Sequence, residues 1–348
     1  MPSHARGADE GWRVGILGAG QAGEKQALGF AAHPDARVVG VADLSAQRAG
    51  ALANKVGGVA VGNENELLEL GLDVLVVATP HALHVAPVEA ASQRGVHVML
   101  EKPIATTVAD GRRIVDLTRD AGTRLATSFV HRFREESQRA KHWALAAGSI
   151  EIGRETVSTR RTSSHPRWLV DAQMSGGGVL MYTAIHGLDR LQWLFDDEVV
   201  EVTAKTRSYA PDDSEVEDGV AALLTFADGG AATLTANSAT YPNDPTVWET
   251  ELHGREAMVR VRTRTFAETA GIHGSERYEP GHDPETSRPN YNFERQAADF
   301  LAAIGEGRDP AVTGEDGLRA LETCVAIYRS AAQARTVAVA EVREGVTA

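Results

Sequence analysis

The sequence predicts two unlike halves. Residues 11–128 read as an α/β unit on a doubly wound parallel sheet. Residues 129–340 read as an α+β unit on an open, mostly antiparallel sheet. Three observations carry this. Up to about residue 128, short runs rich in Val, Ile and Leu alternate with amphipathic stretches, the rhythm of strand–helix–strand units. Beyond about residue 150 the runs alternate apolar with polar residues, the pattern of a sheet with one wet face. A glycine-rich turn follows directly on the first apolar run. The 348 residues suffice for about two domains and a core that needs no staples.

In order, the first half is expected to place strands at 12–17, 37–42, 59–61, 72–78, 96–100 and 124–129. Helical spacing marks 21–33, stopped by Pro34, then 45–56, 83–94 and 108–121. Thr107 and Asp110 open the last of these as a capping pair. The second half is expected to place strands at 151–162, 199–207, 220–226, 231–238, 247–253 and 258–262. The run 227–230, Ala-Asp-Gly-Gly, supplies a hairpin turn. A helix at 183–194 interrupts the strands. Residues 265–289, rich in Gly, His, Pro and charge, read as a long loop. Helices at 292–304 and 315–334 close the chain, the second capped by Thr313 and Asp316. Its single cysteine, Cys324, shares an apolar stripe with Leu321, Ile327 and Tyr328 and reads as inert core.

Composition excludes several functions. The net charge of −13 argues against nucleic-acid or anionic-membrane partners, which need a basic surface. No run approaches 18 apolar residues and the first eleven residues hold no apolar stretch, so neither a membrane span nor a secretory signal is expected, and a cytoplasmic location is. One cysteine allows no intrachain disulfide and no all-cysteine metal site. His81 and His84 lie three apart but have no adjacent third ligand, so no metal is expected.

The glycine turn is Gly18-Ala19-Gly20-Gln21-Ala22-Gly23. Gly18 makes the turn, Gly20 allows backbone to approach a pyrophosphate, and Gly23 lets helix pack on strand. The helix N-terminus then offers free N–H groups to the phosphates. Asp43 ends the second strand twenty residues later, where a carboxylate binds ribose hydroxyls and repels a 2′-phosphate. No Arg follows immediately, which favours NAD over NADP. This is the Rossmann dinucleotide-binding pattern.

Two further motifs end strands four and five, where ligands of such sheets sit. They are Thr79-Pro80-His81 with His84, and Glu101-Lys102-Pro103. Both point at the nicotinamide side, and burial would bring the Lys102 amine into a useful acid–base range. Arg132, in the segment after strand six, is a candidate for the cleft wall. Arg160, Arg167, Trp168 and Asp171 flank a triple glycine, a mixture suited to polyol hydroxyls. Asn237 and Tyr241 are further candidates at a strand end.

In these motifs, and in Gly176-Gly-Gly178-Val-Leu180 with His186, Asp189 and Trp193-Leu194 and the closing 305–317 run, the sequence resembles the Gfo/Idh/MocA oxidoreductases over about residues 11–340. The resemblance implies that Lys102 is catalytic. It also implies that the second sheet carries the substrate face and a homodimer or homotetramer contact. One position departs from the family pattern: Tyr182 stands where an Asp is usual, four residues before His186. The expected function is NAD-dependent hydride transfer to or from a carbinol carbon of a sugar, sugar derivative or cyclitol. Lys102, Tyr182 and His186 then surround the reacting oxygen. The Tyr182 departure keeps open a glycosidase- or lyase-type enzyme with recycled NAD, and a non-catalytic NAD/sugar sensor remains a third reading.

Overall fold

The computed structural model describes residues 11–160, 165–209, 214–238, 246–281 and 290–343. Its first sheet is built from β1 (Trp12–Leu17), β2 (Ala36–Ala42), β3 (Val59–Val61), β4 (Val74–Val77), β5 (His97–Leu100) and β6 (Leu125–Thr127). The strands are all parallel in the order 3-2-1-4-5-6. The order reverses between β1 and β4, which opens the crevice where such folds bind ligands. All four β4 residues are buried, as an all-aliphatic central strand requires. The connecting helices are α1 (Gln21–Ala31), α2 (Ala46–Val56), α3 (Glu64–Leu68), α4 (Val85–Gln93) and α5 (Val108–Ala121). The Thr107 hydroxyl caps α5 by accepting the Asp110 amide. The five-residue α3 was not expected from the sequence.

The chain crosses to the second sheet through α6 (Glu135–Ala146) and β7 (Ile150–Ser158). A helical turn α7 (Ala172–Ser175), then α8 (Ile185–Phe195), leads into β8 (Val199–Arg207), β9 (Gly219–Phe226) and β10 (Ala231–Asn237). Strands β11 (Val247–Gly254), β12 (Ala257–Arg262), β13 (Phe266–Gly271) and β14 (Gly274–Tyr278) follow. Helices α9 (Tyr291–Glu306) and α10 (Gly314–Gln333), the short β15 (Val337–Ala338) and α11 (Val339–Arg343) complete the described chain. The sheet runs 14-13-12-11-7-10-9-8-15, and among the described residues β7 with β10 is its one parallel pair. Alternate residues of β9 and β10 are buried: Val220, Ala222, Leu224 and Phe226, then Ala232, Leu234 and Ala236. They face the core that α8 and α10 also fill, where Phe195 stacks on Phe226. Thr313 and Asp316 form the expected capping box of α10, and Cys324 is buried.

One expectation is corrected, and one helix is added. The 265–289 segment is not one long loop: β13 and β14 form a hairpin at the sheet edge. Its cross-strand support is charged, with Glu268 taking both Arg260 and Arg277, so the apolar signal was missing. The segment ahead of β7, to which the sequence reading assigns no element, is α6. That helix buries Glu136 and Ser137 beside Ala140, Trp143 and Ala144, which blurs its apolar period. Helix α9 returns to the first sheet. Its Ala297, Phe300 and Leu301 join the core under β1 and β2, and Gln296 bonds Gln26 and Ser128.

Candidate active site

The glycine turn is constrained from within and open outward. Gly18 has φ +99°, and a Cβ there would lie 2.4 Å from the Ala78 carbonyl oxygen. A Cβ on Gly23 would lie 1.8 Å from the Gly18 oxygen. Gly20, at the N-terminus of α1, differs: an added Cβ meets nothing within 4 Å. That open cradle before the unpaired N–H groups of a helix fits a pyrophosphate. Asp43 accepts the Ala19 amide, the Ser45 amide and the Arg48 guanidinium, each at 2.7 Å. Burial alone would raise its carboxyl pKa, but these three donors hold it below the ordinary range. At the end of β4 the Thr79 hydroxyl is buried without a protein partner, which also suits a polar ligand.

The other motif histidines turn inward. The ring of His81 lies with Nδ1 2.7 Å from the Ser175 carbonyl and edge-on to Trp168 at 4.8 Å. His84 sets its two ring nitrogens 3.1 Å from the Ile104 and Thr79 carbonyls. Burial keeps both rings below the ordinary imidazole pKa. They brace the Thr79–Pro80 turn against the second half of the chain and against the segment after Lys102.

A cavity of about 370 Å³ opens beside the glycine turn, and Lys102, Tyr182 and His186 all line it. Each reaches it differently. Lys102 follows β5, next to Glu101 and before a cis bond to Pro103. Tyr182 sits in a wide π turn, Leu180–Ala184, that feeds α8. His186 lies in the first turn of α8. The triple glycine makes this possible. A Cβ on Gly178 would strike the Glu217 carbonyl at 1.9 Å, and the Glu217 carboxylate accepts the Gly178 and Leu180 amides at 2.7 and 2.9 Å.

The Lys102 ammonium donates to the Tyr182 carbonyl oxygen at 2.5 Å and lies 4.6 Å from the centre of the Tyr182 ring. Burial brings its pKa down to about 8, against the opposing pull of Glu101. Burial, with Glu101 adding to it, raises the Tyr182 phenol. His186 is pushed well down by burial first and then by Lys102, Arg134 and Arg190. Its ring stacks on His131 at 4.8 Å and 9°, and Trp248 stands edge-on to His131 at 4.7 Å. Nδ1 of both stacked rings is buried without a partner. Leaving a lone pair unpaired costs less than leaving an N–H unpaired, so the proton belongs on Nε2 of each ring.

The expected substrate residues divide. Arg160 lines the cavity. Arg132 does not: it is buried in a forked pair with Asp189 at 3.0 and 2.5 Å and lies 3.2 Å from Asp316. Asp171 caps α7, accepting the Gln173 and Met174 amides. Arg167 is exposed on a 3-10 turn outside the cavity wall, and Trp168 packs on His81. Asn237 takes the Ser158 hydroxyl, and Tyr241 lies outside the described residues. The wall also holds Lys25, Arg134, Trp248, Arg264 and Asn292, none singled out beforehand. Arg134, two residues beyond Arg132, carried the nearest signal.

Residues 12–129 match the oxidoreductase family with an NAD-binding Rossmann fold, and residues 149–339 match that family's C-terminal alpha/beta domain. The chain is 30% identical over 335 residues to an inositol 2-dehydrogenase of Rhizobium meliloti (strain 1021), covering 94% of this chain and 99% of that one. It is 29% identical over 342 residues to a 1,5-anhydro-D-fructose reductase of Ensifer adhaerens, covering 96% and 99%. In fold it resembles a levoglucosan dehydrogenase solved with NADH and L-sorbose, with TM-score 0.87, 21% identity, and 95% and 100% coverage. It also resembles an aldose-aldose oxidoreductase from Caulobacter crescentus, with TM-score 0.82, 24% identity, and 94% and 99% coverage.

Proposed function

The chain belongs to the NAD-binding Gfo/Idh/MocA oxidoreductase family, and from that premise we propose that it interconverts a carbinol and a carbonyl of a sugar or cyclitol with Lys102 as the acid–base group. The relatives' names, an inositol dehydrogenase and an anhydrofructose reductase, support the substrate class. One observation carries the assignment of Lys102: a buried amine with pKa about 8 at the carboxyl end of β5, inside the cavity beside the glycine turn.

Gly18–Gly23 with Asp43 would hold NAD, which when bound supplies hydride acceptance. The chain's own residues handle the proton. Neutral Lys102 accepts the hydroxyl proton at Nζ during oxidation, and its ammonium returns one during reduction. The Tyr182 carbonyl fixes where Nζ stands. His186 and His131 donate from Nε2 to substrate oxygens, because their partnerless Nδ1 atoms leave no carboxylate to ready either ring as a base. In this scheme the Tyr182 ring is a wall and a resting place for the ammonium.

The test is a paired assay. Protein and NAD are incubated with sugars and cyclitols while NADH absorbance and sugar loss are read together, beside Lys102→Ala. NADH rising with sugar oxidation, and lost in the variant, supports the reading. Sugar conversion without NADH would move it to a recycled-cofactor enzyme, and NAD and sugar binding without turnover to a sensor. A second copy of the chain is proposed to cover the outer sheet face, where Ile152 and Leu223 are exposed; light scattering at a monomer mass would oppose that. No helix of the described residues is long and apolar enough to cross a membrane.

A further inference from the structure

Resting on the reading that His186 and His131 hold substrate oxygens, we infer that a buried ion pair outside the cavity, Glu155 with Arg190, positions the substrate wall. The pair clamps α8 to β7, to β11 and to the turn after β12, and so sets where His186 and Trp248 stand.

Arg190 lies four residues, about one turn, after His186 on α8. Its side chain and that of Glu155 are both 0% exposed. One guanidinium nitrogen donates to Glu155 Oε1 at 2.8 Å, and another donates to the Thr263 hydroxyl at 2.5 Å. The second Glu155 oxygen accepts the Thr250 hydroxyl. Glu155 and Thr250 are direct cross-strand partners on β7 and β11. The carboxylate also lies against the α8 backbone beside His186: a Cβ on Gly187 would come 2.6 Å from Oε1. Glu155, Arg190, Thr250 and Thr263 stand behind the cavity wall and are not part of its lining.

The clamp reaches the wall by short paths. Trp248 shares a face of β11 with Thr250, and its carbonyl accepts the Thr263 amide at 2.9 Å. The Trp248 ring stands edge-on to His131 at 4.7 Å and to His186 at 6.2 Å. Arg190 therefore holds His186 through its own helix and Trp248 through Thr263, and both paths end at the stacked histidines. Burial first, and then neighbouring charged groups with Arg190 among them, hold both rings well below the ordinary imidazole range. Stability does not explain the pair. Replacing a buried ion pair by apolar side chains of similar volume is often neutral or stabilising. Here Arg190 Nε is buried without a hydrogen-bond partner among the described residues. Burial also raises the Glu155 carboxyl to about 7 against the pull of Arg190. What apolar residues could not supply is direction, since the rigid guanidinium fork fixes its partners at set angles.

The experiment makes the apolar replacement. Glu155→Leu combined with Arg190→Met removes both charges and strands neither, so its unfolding temperature should match or exceed that of the wild type. A merely structural pair predicts wild-type kinetics from that variant. A positioning pair predicts KM for the converted sugar or cyclitol raised at least about tenfold, a smaller fall in kcat and unchanged NAD affinity. Thr263→Val loosens the clamp without stranding a carboxylate, and repeats the test should the double variant not fold. It should raise KM in the same direction, and Thr263→Ser should restore it. Proton–nitrogen spectra of the histidine side chains, assigned with His131→Gln and His186→Gln, read the clamp without turnover. In the double variant these two ring signals should shift with NAD still bound. A wild-type KM in the folded variant, or a rise matched by loss of NAD affinity, overturns the inference and leaves the dehydrogenase standing. Absence of wild-type turnover on every sugar and cyclitol removes the dehydrogenase reading instead. The ring signals then decide the clamp, and unmoved signals overturn it.

Discussion

The glycine turn and the proposed substrate wall face one cavity, yet they are made of different material. The turn is backbone: Gly18 and Gly23 exist to remove side chains, and only Asp43 contributes one. The wall is side chain, assembled from β5, the start of α6, the end of β7, the π turn, α8, β11 and the β12–β13 turn. A backbone site depends on contiguous residues and so survives as a motif. A side-chain site depends on tertiary neighbours, and its members carry no common spacing. Five substitutions separate these two kinds of construction.

The largest effect is expected at Lys102, where the two regions meet. Lys102→Ala should lower kcat by roughly 10²–10⁴-fold while NAD affinity changes little. With Lys102 as the proposed proton acceptor, oxidation needs the neutral amine. Its kcat/KM should therefore rise with pH and level off above about 8, because burial has brought the pKa down to that value. Steady-state kinetics across pH 6–10 (a span set by the roughly two-unit width of one titration) read both. A flat profile with the variant still active would return the proton to another group.

Next comes Arg132, expected in the wall but found outside it. Removing its side chain strands Asp189 in the core, and breaking such a buried pair costs about 3–5 kcal/mol. Denaturant unfolding of Arg132→Ala should show that loss, with the substrate KM of the folded fraction unchanged. A selective rise in KM without destabilisation would put Arg132 back in the site.

Arg132 and Arg134 show where sequence reading ends. Both follow β6, two residues apart. A 3-10 turn at Val130–Phe133 sends the first to Asp189, while the second reaches the cavity. Nothing in the linear order separates them, because the choice is made by α8, which brings Asp189. The capping pairs, both sheets and the glycine turn were legible because each rests on local spacing. Helix α6 and the β13–β14 hairpin were not. One buries Glu136 and Ser137, and the other is held by Glu268 and arginines, so neither shows an apolar period. Asp171 had the right composition for a sugar contact and the wrong environment, since α7 takes its carboxylate as a cap.

The backbone turn offers a finer contrast between two of its own glycines. Gly23→Ala forces a methyl to 1.8 Å from a backbone oxygen and should cost about 1–3 kcal/mol, with NAD binding lost. Gly20→Ala meets no atom. It should unfold at nearly the wild-type temperature yet bind NAD more weakly, since its methyl occupies the space left for the pyrophosphate. Thermal unfolding with and without NAD separates the two. Undiminished NAD stabilisation of Gly20→Ala would mean that the phosphates lie elsewhere.

The smallest effect is expected at Tyr182, the position that departs from the family pattern. Its contacts with Lys102 run through the main-chain carbonyl and the ring face, at 2.5 and 4.6 Å. Tyr182→Phe keeps both. Burial raises the phenol pKa, which makes it a poorer proton acceptor near neutrality than an amine at about 8. The variant should therefore retain kcat within about tenfold, a change under about 1.4 kcal/mol in barrier. Its pH profile should keep the same midpoint, because the group that titrates is still Lys102. A loss matching that of Lys102→Ala would instead place the proton on the phenol. The wall would then resemble the turn in one respect, with a single residue type at a single position deciding the chemistry.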